Sequence, residues 1–278
     1  MSLFISSINS GSNGNCYYVG NEHDAVLIDA GISCREIKKR MTRQGLHLEK
    51  VRAVFVSHEH SDHIRGIETL TRKYKIPIYI TTETLKYSGL FIDEELIHSF
   101  EPNQSVMIGQ IKVVPFPKEH DASDPFSFLI SCNNVHVGVF TDIGIPCENV
   151  IHHFKQCHAA FLETNYDEKM LEEGSYPYHL KQRIRSDKGH LSNRQALELF
   201  LAHRPANMSH LVLSHLSENN NCPGVVEQLF IPHAKKTKIV VASRYEESGV
   251  YKISGAIERL GQAIQSLRTY SQLQLSFD

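Results

Sequence analysis

The stretch Val54-Phe-Val-Ser-His58-Glu-His60-Ser-Asp62-His63 constrains this chain more than any other. Residues 54–56 form an apolar run that reads as a buried strand ending at Ser57. Five of the six residues after Ser57 can bind a metal. His58 and His60 are two apart, so on extended backbone they point the same way. Asp62 and His63 follow at once, so the chain must turn there and offer a second set of ligands. Imidazole nitrogen beside carboxylate oxygen suits borderline divalent ions, zinc first. Two such pairs this close point to two ions sharing one site. The zincin order H-E-x-x-H is excluded, because Ser61 and Asp62 follow Glu59 and His60.

At 278 residues the chain can bury a large core, and one elaborated domain is favoured over two small ones. A net charge of −2 gives no bulk attraction to nucleic acid or membrane, so any nucleic-acid site must be a local patch. The six cysteines are scattered and form no C-x-x-C, which favours reduced thiols and a cytoplasmic location. The first residues lack the basic start and apolar core of a signal peptide, and no apolar run is long enough to span a bilayer.

Strands are predicted at 3–8, 16–19 and 25–29, with the turn-rich segment 10–15 between the first two. That Gly/Ser segment reads as a tight hairpin, with a phosphate cradle as the alternative. Ser33 reads as the N-cap of a helix through Ile37 and Met41, whose basic residues Arg35, Lys38, Lys39, Arg40 and Arg43 form a solvated face. One helix should follow His63 directly, since Ile64, Ile67, Leu70 and Tyr74 recur at helical spacing. A strand at 76–80 and a short helix at 82–89 come next. Strands are predicted at 111–116, 126–132 and 135–140, then a helix at 149–156 and a strand at 159–162. The polar connection up to Lys188 reads as an irregular flap with one short helix at 180–184. A helix at 195–202 capped by Ser192, a strand at 210–213, a helix at 224–229 and strands at 239–241 and 251–253 complete the reading.

The order H-x-H-x-D-H resembles the signature of the metallo-β-lactamase superfamily. The fold this implies is α/β, a four-layered αββα sandwich. By that resemblance His58, His60 and His120 hold one metal, Asp62, His63 and His215 the other, and Asp142 bridges them, while Asp29 braces the metal loop. Two divalent ions, zinc or manganese, would acidify a shared water so that a bridging hydroxide serves as nucleophile. Catalysis is assigned to His190 together with Asp142 and Asp62. Gly189, His190 and Ser192 occupy the place of a Gly-His-Ser-type motif in the hydrolytic ribonuclease Z group. There a non-ligand histidine can protonate a leaving alkoxide; the alternative is that His190 caps or packs at a helix start. Lys181, Arg183, Arg185, Lys188 and Arg194 surround it and read equally as a phosphate-attracting patch or a solvated face.

Over most of its length the chain is similar to the YycJ/WalJ/VicX family. The likeness is carried by the loop 10–15, the histidine loop, Lys118 to Asp121, Thr141 to Gly144, Glu163 to Tyr166, Gly189 to Asn193 and Leu213 to Asn220. It implies a DNA exonuclease acting in DNA repair, with DNA as substrate. Hydrolysis of a thioester, lactone or β-lactam and a regulatory adaptor with a mainly structural metal are the alternatives. Residues 1–255 read as the catalytic domain. In 256–278, a helix at 256–267 precedes Gln272, Leu273, Leu275 and Phe277, which resemble the bacterial sliding-clamp binding motif; the alternative is a terminal strand on the chain's own core.

Overall fold

A computed structural model describes residues 2–255. The expected helix at 256–267 and the clamp-like tail lie outside the described residues.

The chain begins with strands β1 (Leu3–Asn9), β2 (Cys16–Gly20) and β3 (Ala25–Ile28), then α1 (Cys34–Arg43) and β4 (Val51–Phe55). Helices α2 (Ser61–Ile64) and α3 (Ile67–Tyr74), β5 (Ile78–Tyr79), α4 (Thr82–Ser88) and β6 (Ile97–His98) finish the first half. The second half holds β7 (Val106–Ile108), β8 (Ile111–Pro117), β9 (Phe126–Cys132), β10 (Val135–Phe140), α5 (Glu148–Phe154) and β11 (Ala159–Glu163). It continues through α6 (Glu168–Glu173), α7 (Tyr178–Arg185), α8 (Asn193–His203), β12 (His210–Ser214), α9 (Pro223–Phe230), β13 (Lys238–Val241) and β14 (Tyr251–Ile253).

Two seven-stranded sheets result, in the orders β14-β1-β2-β3-β4-β5-β6 and β13-β12-β11-β10-β9-β8-β7. Strand periodicity decides the layers. On β2, Tyr17 and Val19 enter the core between the sheets, while Cys16 and Tyr18 face outward onto α1. On β9, Phe126, Phe128 and Ile130 face the first sheet and Leu129 faces outward toward Phe154 of α5 and Phe200 of α8. Three apolar layers thus separate helices, sheet, sheet and helices, which is the αββα sandwich. Among the described residues no helix is long and apolar enough to cross a membrane.

Four departures from expectation have local causes. The helix after His63 is broken into α2 and α3 at Gly66. The Gly66 N–H donates to the Ala30 carbonyl, and a Cβ there would sit 2.2 Å from the Ile32 oxygen, so the helix is pinned against the chain after β3. The strand expected at 76–80 shrinks to two residues beside Pro77, which has no N–H for the ladder. The connection up to Lys188 holds the short helix expected at 180–184, as α7 after Pro177, but also an unexpected one, α6, which Asp167 caps by accepting from the Lys169 and Met170 amides. Finally, Arg40 is not part of the solvated face of α1. It is buried, and its guanidinium donates to the Ile8 carbonyl (3.0 Å), Asn9 Oδ1 (2.6 Å) and the Tyr245 carbonyl (2.9 Å). Arg35, Lys38, Lys39 and Arg43 are exposed as expected.

Candidate metal centre

The parallel strands β3, β4, β10, β11 and β12 end on one rim of the sandwich, and their carboxyl ends deliver Asp29, His58, Asp142, Glu163 and His215. His120 follows β8 onto the same rim. Asp29, Asp142 and His215 all leave their strands in the left-handed region, at φ 61°, 55° and 57°. Such backbone is held only where surrounding structure enforces it, and it clusters at functional sites. Gly31 is needed for a different reason: a Cβ there would lie 1.6 Å from the Asp62 carbonyl, so only glycine lets the histidine loop close against β3.

The side chains converge as four overlapping groups whose donor atoms lie within 4.8 Å of one another. His58, His60 and His120 form one; Asp62, His63 and His215 another; His58, His63 and Asp142 a third; and Asp142, Glu163, His190 and His215 the fourth. Asp142 therefore sits between the first two, 3.1 Å from His63 Nε2, 3.5 Å from His215 Nδ1 and 3.8 Å from His120 Nε2. All seven residues expected as ligands, and His190, are brought together.

Hydrogen bonds behind the site select which imidazole nitrogen faces inward. His63 Nδ1 lies 2.7 Å from Asp29 Oδ2, which also accepts from Ser57 Oγ. His120 Nδ1 lies 3.0 Å from the Gly189 carbonyl, and His58 Nδ1 lies 2.9 Å from Ser57 Oγ. His215 Nδ1 lies 2.8 Å from Glu163 Oε1. In each ring Nε2 is the atom left to the centre. His58 Nε2 and His60 Nδ1 approach to 3.0 Å. His120 Nε2, His215 Nε2 and Asp142 Oδ2 are buried without a hydrogen-bond partner. Buried polar atoms of this kind need a partner, and a cation fits nitrogen and carboxylate donors aimed at one point. The residues present therefore fit divalent metal.

The electrostatics agree. Burial drives the His58 imidazole well below its usual range and His120 down to about 3, so both offer lone pairs. Burial also opposes charge on His215, but Asp142, Asp62 and Glu163 outweigh it and hold that ring up at about 10. Burial pushes the Glu163 carboxyl up, yet the His190 and His215 rings outweigh it and hold it down at about 2. The acids at this rim demand positive charge, which protons or metal cations can supply.

Four residues that lie in the segments carrying the family likeness have roles that the sequence leaves unassigned. Glu163 enters the sequence analysis only as the start of the segment 163–166, yet it is fully buried and joins His190 and His215 through one oxygen while accepting from the Ile143 amide through the other. Its signal is the one that marked Asp142, an acid closing an apolar strand. The loop 10–15 is a hairpin, as expected, but also a support. Asn15 Nδ2 donates to Asp62 Oδ2 at 3.2 Å and lies 3.1 Å from His63 Nε2, while Ser10 Oγ accepts from the His215 amide. Lys118 is buried and donates to the Thr141 carbonyl at 2.7 Å, fastening the residue before Asp142.

A cleft of about 370 Å³ opens on the centre, lined by His60, Asp62, Asp142, His190 and His215 and roofed by Tyr176, Leu180 and Arg183 from α7 and the turn before it. Of the basic cluster only Arg183 lines this cleft, and it pairs with Asp121. Arg185 pairs with Glu172 and Arg194 with Glu168, so much of the cluster's charge is locally neutralised.

Fold and site together define a metal-dependent hydrolase built on the αββα sandwich. The chain belongs to the metallo-β-lactamase superfamily: residues 24–216 match the family described as beta-lactamase superfamily domain. It is 34% identical over 226 residues to the exodeoxyribonuclease YycJ of Bacillus anthracis, covering 80% of this chain and 85% of that one. It is 33% identical over 218 residues to the exodeoxyribonuclease WalJ of Streptococcus pneumoniae serotype 2, covering 76% and 81%. Among solved structures it resembles the metallo-beta-lactamase fold protein YhfI of Bacillus subtilis, with a TM-score of 0.69, 16% identity and coverage of 91% and 100%.

Proposed function

We propose that this protein is a dinuclear metal-dependent phosphodiesterase, a DNA exonuclease acting in DNA repair. The observation that carries the reading is the placement of His190. Its Nδ1 lies 2.8 Å from the buried Glu163 carboxylate, so Nε2 is left to the cleft that His190 lines, next to a ligand set it does not need to complete. A histidine braced in this way suits proton delivery to a leaving oxygen. An alkoxide leaving a phosphodiester requires that proton far more than a thiolate leaving a thioester. The exodeoxyribonuclease names of the YycJ and WalJ relatives support DNA as the substrate.

In this reading His58, His60 and His120 would hold one ion and Asp62, His63 and His215 the second, with the Asp142 carboxylate available between the two sets. Bound there, zinc or manganese would polarise a phosphoryl oxygen and lower the pKa of a shared water, making hydroxide available near neutral pH. Asp29 and Glu163 fix the rings of His63 and His215. As the phosphorus–oxygen bond breaks, His190 Nε2 gives its proton to the departing oxygen, and Glu163 stabilises the ring throughout. Six free cysteines, four of them buried, support a reducing cytoplasmic setting. The tail residues Gln272, Leu273, Leu275 and Phe277 support recruitment by a sliding clamp.

The test is degradation of end-labelled single- and double-stranded DNA by the purified protein with zinc, manganese or no metal, beside Asp142→Ala. Metal-dependent shortening from one end, lost in the variant, is the expected result. Silence on DNA with turnover of a thioester or lactone would overturn the nuclease reading. Loss of clamp binding on deleting 272–277 checks the tail.

A further inference from the structure

A second cavity, of about 380 Å³, adjoins the metal cleft. Ser217 lines both, and Ser10, which holds the His215 amide, lines the second. Leu216, Val241 and Ala242 give it an apolar wall, and Tyr245 stands at it 73% exposed. Arg244 also lines it, with its side chain only 9% exposed. One guanidinium nitrogen, Nη2, donates to Ser12 Oγ at 2.8 Å. Nη1 lies 2.7 Å from the Glu218 carboxylate as an ion pair, but neither Nη1 nor Nε has an aligned hydrogen-bond acceptor. Gly11 makes room for this group, since a Cβ there would lie 3.2 Å from Arg244 Cβ and Nη2.

The chemistry of the walls excludes several occupants. Three carboxylates, Glu218, Glu227 and Glu246, line the cavity against one guanidinium, which Glu218 already pairs, so a phosphate or other anion is disfavoured. An aliphatic ligand would leave the Arg244 Nε and Nη1 donors without an aligned acceptor. A flat, neutral heterocycle carrying both amino donors and ring acceptors satisfies them, and its face can lie on the Tyr245 ring. The volume is that of a pocket for one small molecule, not for a duplex.

We propose that this cavity receives the unpaired base of the terminal nucleotide, while the adjoining phosphodiester lies in the metal cleft across Ser217. The proposal rests on the nuclease reading and gives it a physical basis for acting at ends: a terminal base can leave the stack and enter the cavity at lower cost than an internal one.

The experiment has two arms on the full-length, metal-loaded protein. Calorimetric titration with deoxyadenosine and deoxyguanosine should show binding that deoxyribose does not, weakened about tenfold in Tyr245→Ala and in Glu227→Gln. In parallel, kcat/KM is compared on end-labelled DNA with an intact or an abasic terminal nucleotide at the digested end. The abasic end should lose about tenfold, chiefly in KM, and the ratio should shrink toward one in both variants. Cleavage of DNA with no loss at an abasic end, and no nucleoside binding, would overturn the base pocket and leave the nuclease reading intact. Nucleoside binding that the variants weaken, with no DNA cleavage under any metal, would overturn the nuclease reading and leave the cavity a nucleoside site.

Discussion

Glu163 Oε1 lies 2.8 Å from Nδ1 of His190, and the same oxygen lies 2.8 Å from Nδ1 of His215. One buried carboxylate thus links the proposed proton donor to the proposed metal ligand, and the two rings should respond differently to its loss. His190→Ala should lower kcat about 100-fold or more while metal content is retained. Glu163→Gln should lower kcat and also weaken metal retention about 10- to 100-fold, because His215 loses its orienting charge. Steady-state kinetics with metal analysis of the purified variants separates the two. Near-normal turnover in His190→Ala would remove it from the mechanism.

Asp29 accepts from the Ser57 amide and hydroxyl and holds His63 Nδ1, with no donor atom of its own among the grouped ligands. Asp29→Asn should therefore weaken metal binding by about 10- to 100-fold without deleting a ligand. Competition with a chelator of known affinity measures this. An unchanged affinity would reduce Asp29 to a fold residue.

His153 is stacked on Phe116 at 4.1 Å, outside the metal centre, with Nδ1 buried and unpartnered. Burial, with His152 beside it, lowers its pKa from 6.5 to about 4. The folded state therefore binds this proton more weakly than the unfolded chain does. The contribution of His153 is intact above about pH 6.5 and is lost progressively as pH falls toward 4. His153→Phe should lose less stability than the wild type between pH 7 and pH 5 in thermal melts. Parallel pH profiles for the two proteins would contradict this.

Arg40 ties α1 to β1 and to Tyr245 through three carbonyl-type acceptors. Arg40→Met keeps most of the apolar stem and strands those acceptors. It should cost about 1–3 kcal/mol in denaturant unfolding, against less than about 0.5 kcal/mol for the exposed Lys39→Met. Equal effects for the two would show that burial of Arg40 contributes nothing.

Much of this protein was legible in its sequence because the informative signals are local. The apolar strand at 126–132 and the Ser192 N-cap are set by neighbours within a few residues, and both stand in the structure, where Gln195 completes the cap. The H-x-H-x-D-H loop is local in the same sense, since His58 and His60 meet because backbone geometry places side chains two apart on one face. The fold class and the ligand candidates followed from the family resemblance that these segments carry.

Tertiary structure alone decided what depends on groups far apart in the chain. Glu163, His190 and His215 meet only because parallel strands end on one rim, and no spacing rule reports that an oxygen is shared between two rings. Arg40 looked solvated because its helix neighbours are charged, and only the approach of β1 and residue 245 gives its guanidinium buried partners. The same holds for Asn15 and Ser10: sequence determined that they form a turn, while long-range packing placed that turn beneath the metal loop. Local propensity is additive and readable along a chain, whereas desolvation and hydrogen-bond pairing depend on which distant surfaces exclude water together.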